Sequence, residues 1–378
     1  MSLKNTVKIS AAGAGKTWDA CHHALKCVTQ NEDRVLITTY TNKGVQSIQN
    51  EIRKQNQGVL SHNVVIKTWY DFLLSDLIKP YQNKLPGICA NEIKSLDFSD
   101  TYGKFNYHRK GLKKRYISVS GNVYSKMASA LAVELNKLSE GAVIHRLEQM
   151  YKQLYIDEVQ DLTGYDLEII ELLLKSKIEI TCSGDSKQYT YSTHNTTKNK
   201  KKSGRNIWQF FEGKDIRDLI CIEEKLESKR FNNDICCFAN SVYPEGKPIT
   251  TCMNARTEHD GVFLVADKDV DIYYQYYSPV VLKYDKNTTT MGYTSVNFGA
   301  SKGETYNRVL IFPNKPFKQF LLESKALSSP EKYYVAVTRA RYSLAFVLEK
   351  LPDQIEGFMK ESIMVGEREI TVLKYKVS

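Results

Sequence analysis

A short β-branched run, Val7 and Ile9, breaks into Ser10-Ala11-Ala12-Gly13-Ala14-Gly15 and closes on Lys16-Thr17. Beyond it, Trp18 to Val28 has the pattern of a helix. A strand, a small-residue loop and a helix in this order make a phosphate cradle. Backbone N–H groups close around phosphate oxygens at a helix N-terminus, where the macrodipole favours negative charge. Gly13, Ala14 and Gly15 would line that cradle, Lys16 would reach the β- and γ-phosphates, and Thr17 would hold Mg²⁺ through its hydroxyl. Ser10 stands where the strict pattern has glycine, so the loop needs support from the rest of the chain.

That support begins with the alternation of elements. Arg34 to Tyr40 reads as a buried strand, Thr41-Asn42-Lys43 opens a helix through Ile48 and Ile52, and Val64 to Ile66 is another strand before Lys67-Thr68-Trp69-Tyr70-Asp71-Phe72. Strands alternating with helices predict an α/β fold with a doubly wound, mostly parallel sheet, whose ligands sit at the carboxyl ends of the strands. Residues 73–150 break the alternation and read as an inserted, mainly helical subdomain without clean parallel strands. Within it, residues 102–116 interleave bases with aromatics, as a single-stranded nucleic-acid groove requires; Arg109 and Lys113 are the candidate phosphate contacts.

The second chemical signal is Leu154-Tyr155-Ile156-Asp157-Glu158-Val159-Gln160-Asp161, about 140 residues after the loop. An apolar strand ends in two adjacent acids, which point to opposite faces for as long as the strand persists. One acid can hold Mg²⁺ while the next polarises an attacking water. A strand from Ile178 to Cys182 then runs into Gly184-Asp185-Ser186-Lys187-Gln188, followed by Tyr189, Tyr191 and a Lys-rich loop. The polar stretch Glu212 to Asp215 is the predicted boundary, with a first domain over 1–215 and a second over 216–378. In the second domain, strands at Leu219–Ile222, Val262–Val265, Val280–Leu282 and Val309–Phe312 alternate with helices at Asn233–Val242 and Asp269–Tyr277. A helix over Lys332–Arg341 and a strand over Ser343–Leu348 close the pattern.

Hydrophobic residues make up 42% and charged residues 25%, which excludes a disordered chain, and the net charge of +10 asks for a polyanionic partner. There is no run of about 18 apolar residues and no secretory leader pattern, so a cytoplasmic protein without a membrane partner is expected. The eight cysteines contain no Cys-x-x-Cys spacing and read as free thiols.

Seven ordered signals make the chain resemble the UvrD/Rep-like superfamily 1 helicases. They are Ala-Ala-Gly-Ala-Gly-Lys-Thr (11–17), Thr-Tyr-Thr-Asn-Lys (39–43), Lys-Thr-Trp-Tyr-Asp-Phe (67–72), Ile-Asp-Glu-Val-Gln-Asp (156–161) and Gly-Asp-Ser-Lys-Gln (184–188). Arg230 ten residues before Asn240, and Tyr-Val-Ala-Val-Thr-Arg-Ala (334–340), complete the set. The resemblance implies two RecA-like P-loop domains with ATP in the cleft between them and DNA across their top. It implies Asp157 as a metal ligand, Glu158 as the water-activating base, Gln188 as a γ-phosphate sensor and Arg230 and Arg339 as arginine fingers. Gly303 and Glu304 would belong to the nucleotide site, and Tyr40, Thr41, Asn42, Lys43, Trp69 and Tyr191 to the nucleic-acid face.

The departures bear on specificity. Only nine residues precede Ser10, leaving no room for an upstream adenine-reading glutamine, and Lys229 replaces an aromatic before Arg230. Thr305 stands where relatives carry Glu, and Thr193 where they carry a stacking tryptophan. About 54 residues separate Asn240 from Ser295, too few for the large second-domain insertion, so a compact form is expected. The leading expectation is an ATP- and Mg²⁺-dependent DNA translocase or helicase moving 3′ to 5′. Its rival is a regulatory ATPase subunit of a nuclease-containing, Gabija-like anti-phage complex, and a third reading is an RNA-directed ATPase.

Overall fold

The computed structural model describes residues 5–31, 33–99, 111–190 and 198–377. The chain begins with β1 (Asn5–Ser10), α1 (Lys16–Asn31), β2 (Val35–Thr39), α2 (Asn42–Gln55), β3 (Val64–Thr68) and α3 (Trp69–Phe72). Thr41 caps α2 by accepting from the Gly44 N–H at 3.0 Å, and Ile48 and Ile52 turn its apolar stripe into the core. Next come β4 (Leu96–Asp97), α4 (Leu112–Tyr116), β5 (Val123–Tyr124), α5 (Ala128–Leu138) and α6 (Ala142–Met150). Then β6 (Gln153–Ile156), α7 (Tyr165–Leu174), β7 (Glu179–Gly184), α8 (Ile207–Phe211) and β8 (Ile220–Lys225) follow.

The first sheet has the order β3-β2-β6-β7-β1-β8, and every pairing from β3 to β1 is parallel. Parallel strands share one carboxyl edge, so the ends of β1, β6 and β7 lie together, with β7 between the other two. That single fact brings the end of β1 and the paired acids to one edge. The described residues between 73 and 150 are mainly helical, but two-residue β4 and β5 do pair in parallel.

The sequence reading starts the second domain at residue 216, whereas β8 hydrogen-bonds beside β1 in the first sheet. An edge strand can join whichever sheet offers it a partner, and polar composition at 212–215 marks only a turn. By contacts the first unit comprises Met1–Ile9, Lys16–Ser186 and Tyr191–Glu224. The second comprises Ser10–Gly15, Lys187–Thr190 and Lys225–Ser378.

The second unit holds β9 (Glu227–Ser228), α9 (Asn233–Val242), β10 (Thr250–Thr251), β11 (Gly261–Ala266), α10 (Val270–Tyr277), β12 (Val280–Lys283) and β13 (Ser295–Asn297). It continues with β14 (Tyr306–Phe312), α11 (Lys315–Glu323), α12 (Glu331–Val337), β15 (Ala340–Leu348), β16 (Phe358–Val365) and β17 (Arg368–Tyr375). Its sheet runs β13-β12-β14-β15-β11-β17-β16, parallel from β13 to β11 and antiparallel through the terminal hairpin. Both units are α/β with parallel sheets, the architecture of two RecA-like domains. Here α12 stops at Val337 rather than reaching Arg341, because Ala340 already pairs with Tyr306 as the first residue of β15. Arg339 therefore sits in a turn, not on a helix.

Candidate nucleotide site and nucleic-acid face

The phosphate loop has the backbone its composition demands. Gly13 and Gly15 have φ of +76° and +86°, in the left-handed region that side chains disfavour. Gly13 also has no room for one: a Cβ there would stand 2.5 Å from Arg230 Cβ and 2.7 Å from Ser228 Oγ. Its carbonyl accepts from the Lys229 N–H at 3.0 Å. Ser10 is buried, and its hydroxyl has no hydrogen-bond partner.

In the first unit, β6 ends at Ile156, so strand alternation no longer governs the two acids. Asp157 is half-buried and accepts from Ser183 Oγ at 2.9 Å and from the Glu158 N–H at 3.0 Å. Burial pushes its carboxyl up to about 6; the adjacent Glu158 adds to the rise and Lys16 opposes it. Glu158 has φ +56° and ψ 39°, a left-handed conformation rare outside glycine and common at functional turns. The wholly buried Gln160 donates to Glu158 and accepts from the Asp185 N–H at 3.1 Å. A Cβ on Gly184 would come within 2.4 Å of that same Gln160 oxygen. Ser183 and Gln160 were not singled out in the sequence; the signal was their place in the two strand-end motifs.

Among the described residues no group of three or more His, Cys, Asp or Glu is spaced to hold a metal by itself. One half-buried carboxylate would suit a cation that completes its shell with phosphate oxygens, water and the Thr17 hydroxyl, as Mg²⁺ does.

In the second unit a cluster of polar groups surrounds Arg339, which is 1% exposed. Its guanidinium donates to the Val335 carbonyl (2.9 Å), the Glu304 carbonyl (3.0 Å), Gln188 Oε1 (3.1 Å) and Thr338 Oγ1 (3.2 Å). Arg230 donates to the Thr338 carbonyl at 3.2 Å. Gln188, Arg230, Glu304 and Arg339 are thus brought together, with Thr338 as a shared acceptor that the sequence did not single out. Gly303 precedes them with φ +88°.

The nucleic-acid candidates divide. Asn42 and Lys43 are exposed at the start of α2, and the exposed Thr41 spends its hydroxyl on the cap. Tyr40 is half-buried against Tyr70, ring centroids 6.2 Å apart. Trp69 is a correction. It is 1% exposed and donates its indole N–H to Asp166 at 2.7 Å, so no base can stack on it. The first residue of α3 points into the core because a large apolar ring with one donor finds both packing and an acceptor there. Phe98, 65% exposed and edge-on to Tyr70 at 5.2 Å, offers the open aromatic face instead. Lys113 is paired with Glu92 at 2.5 Å and with the Gly87 carbonyl at 2.8 Å, which makes it a brace for its loop. Arg109, Tyr191 and Thr193 lie outside the described residues.

Residues 94–199 match the UvrD/REP helicase N-terminal domain. This stretch contains the Asp157–Asp161 and Gly184–Gln188 motifs. No curated protein matches the chain. Among solved structures, a DNA complex of arterivirus nonstructural protein 10, a helicase, is 15% identical over 94% of this chain and 64% of that one, with a TM-score of 0.46. The PRRSV helicase is 16% identical over 98% of this chain and 59% of its own, with a TM-score of 0.43. The chain spans less than two thirds of the length of either. None of its described helices is long and apolar enough to cross a membrane.

Proposed function

We propose that the chain is a nucleic-acid-stimulated ATPase that couples hydrolysis to 3′-to-5′ movement on single-stranded DNA. The observation that carries this reading is the gathering of Lys16, Asp157 and Glu158 at one carboxyl edge of the first sheet, with Asp157 braced by Ser183. Phosphoryl transfer needs positioning and charge neutralisation more than covalent chemistry. Lys16 holds the β- and γ-phosphates, and Glu158, aimed by Gln160, accepts the proton of the attacking water. Thr17 and Asp157 would hold Mg²⁺, which neutralises phosphate charge. Arg230, Arg339 and Gln188 would neutralise or sense a γ-phosphate, as the family resemblance implies.

The test is hydrolysis of ATP, GTP and CTP with and without a single-stranded oligonucleotide. Turnover should rise strongly with DNA and fall with salt, because phosphate contacts release counterions. Turnover indifferent to nucleic acid overturns the reading, and matched RNA and DNA strands in competition decide between those substrates. The burial of Trp69 and the pairing of Lys113 reduce the stacking and phosphate contacts among the described residues, which favours a second reading. In it, the chain is the regulatory ATPase of a partner such as a nuclease. Strand displacement by the purified protein alone would speak against that reading.

A further inference from the structure

The turn after β7 carries a lysine that the hydrolytic scheme leaves unused. Ser186–Gln188 is one turn of 3₁₀ helix. A turn this short has no hydrogen-bond ladder of its own, so side chains must decide where it sits. Lys187 is 8% exposed. Its ammonium donates to the Tyr243 carbonyl at 3.2 Å and the Lys247 carbonyl at 3.1 Å. It also lies over the rings of Tyr243 at 5.3 Å and Tyr334 at 6.0 Å.

Tyr243 is the C-cap residue of α9, so the charge rests where the helix presents unsatisfied carbonyls and the negative end of its dipole. An ammonium loses hydration when buried, and a lysine on a polar turn could have remained in water. This one is instead fixed by two carbonyls and two aromatic faces, all within the second unit. The next residue, Gln188, places its side-chain oxygen 3.1 Å from Arg339.

We propose that Lys187 is a positioning residue: by seating its ammonium at the end of α9, it fixes the turn that presents the Gln188 amide to Arg339. This rests on the nucleotide-hydrolysing reading above and deepens it. The competing account is that Lys187 only caps α9, and it makes a different prediction for the double variant.

DNA-stimulated ATP hydrolysis is measured for wild type, Lys187→Met, Gln188→Ala and the double variant, with melting curves as the folding control. Lys187→Met should lower kcat about tenfold at unchanged KM, and the double variant should be no slower than Gln188→Ala alone. Independent, multiplying losses in kcat would overturn the proposal. Lys187→Arg, which keeps the donors, should recover part of the rate, and Lys187→Gln replaces Lys187→Met if the latter does not fold.

A second arm needs no activity. Amide hydrogen exchange at 186–190 should rise in Lys187→Met while α9 stays protected, and unchanged exchange there overturns the anchoring. If the wild type hydrolyses no nucleotide, the functional reading fails, and the exchange arm still decides whether Lys187 holds the turn.

Discussion

The acidic cluster of the first unit and the arginine cluster of the second are built on opposite principles. Asp157 and Glu158 are kept under tension: one carboxylate is half-buried and pushed up to about 6, and the other sits on a left-handed backbone. Arg339 is the reverse, a buried cation whose donors go to Val335, Glu304, Gln188 and Thr338. Carboxylates that must take up a cation or a proton are held on a disfavoured backbone or away from their usual ionisation, at a cost in stability. A guanidinium that must stay in place is saturated by oxygens drawn from distant parts of the chain.

The contrast predicts different penalties when each cluster is cut. Arg339→Ala should lower DNA-stimulated hydrolysis by about 10³ or more and also lower stability, because it orphans several buried acceptors. Retained stability would mean that the hydrogen bonds around Arg339 do not hold the second unit together. Glu158→Gln should slow hydrolysis by about 10³ while leaving nucleotide binding and melting near wild type. Normal turnover would show that Glu158 is not the base.

Trp69→Phe should cost about 1–3 kcal/mol, since it leaves the buried Asp166, which also accepts from Ser129, without the indole donor, and single-stranded DNA affinity should not change. A matching loss of affinity would return Trp69 to the nucleic-acid face.

Acid gives the smallest effects and separates the units by sign. His259, stacked between Phe263 and Tyr277 and bonded to Tyr273, is held down to about 3 by burial, with Arg308 and Lys374 adding to the shift. Its folded value lies below its unfolded one, so its contribution is present above pH about 6.5 and is lost as the pH falls toward 3. Asp157 runs the other way: its folded value is raised, so protonation relieves the first unit as the pH falls through 6. Asp157→Asn should therefore raise first-unit stability at pH 7 by about 1–3 kcal/mol while abolishing hydrolysis. Trp18, Trp69 and Trp208 all lie in the first unit, so tryptophan emission follows that unit alone. Hydrogen exchange in α10 and β11 follows the other, where His259→Phe should flatten the acid loss.

The parts of the site that are legible in the sequence are those made by neighbours in the chain. Small residues before Lys16-Thr17 can only turn in a few ways, and an apolar run that ends in acids places them at a strand tip. Strand ends were also readable, because β-branched runs bounded by polar turns leave few alternatives. The terminal hairpin of β16 and β17 had no such signature: its strands carry polar and apolar residues without a clean alternation, and pairing against β11 supplies the order.

Chain-local chemistry by itself determined the phosphate loop, the paired acids and the alternating α/β plan, because each is written within a dozen residues. Tertiary structure alone decided that Trp69 turns inward, that β8 closes the first sheet, and that Gln188 meets Arg339 from 151 positions away. Burial and hydrogen-bond satisfaction are settled between segments distant in sequence, so a local pattern can name the residue but not the partner that claims it.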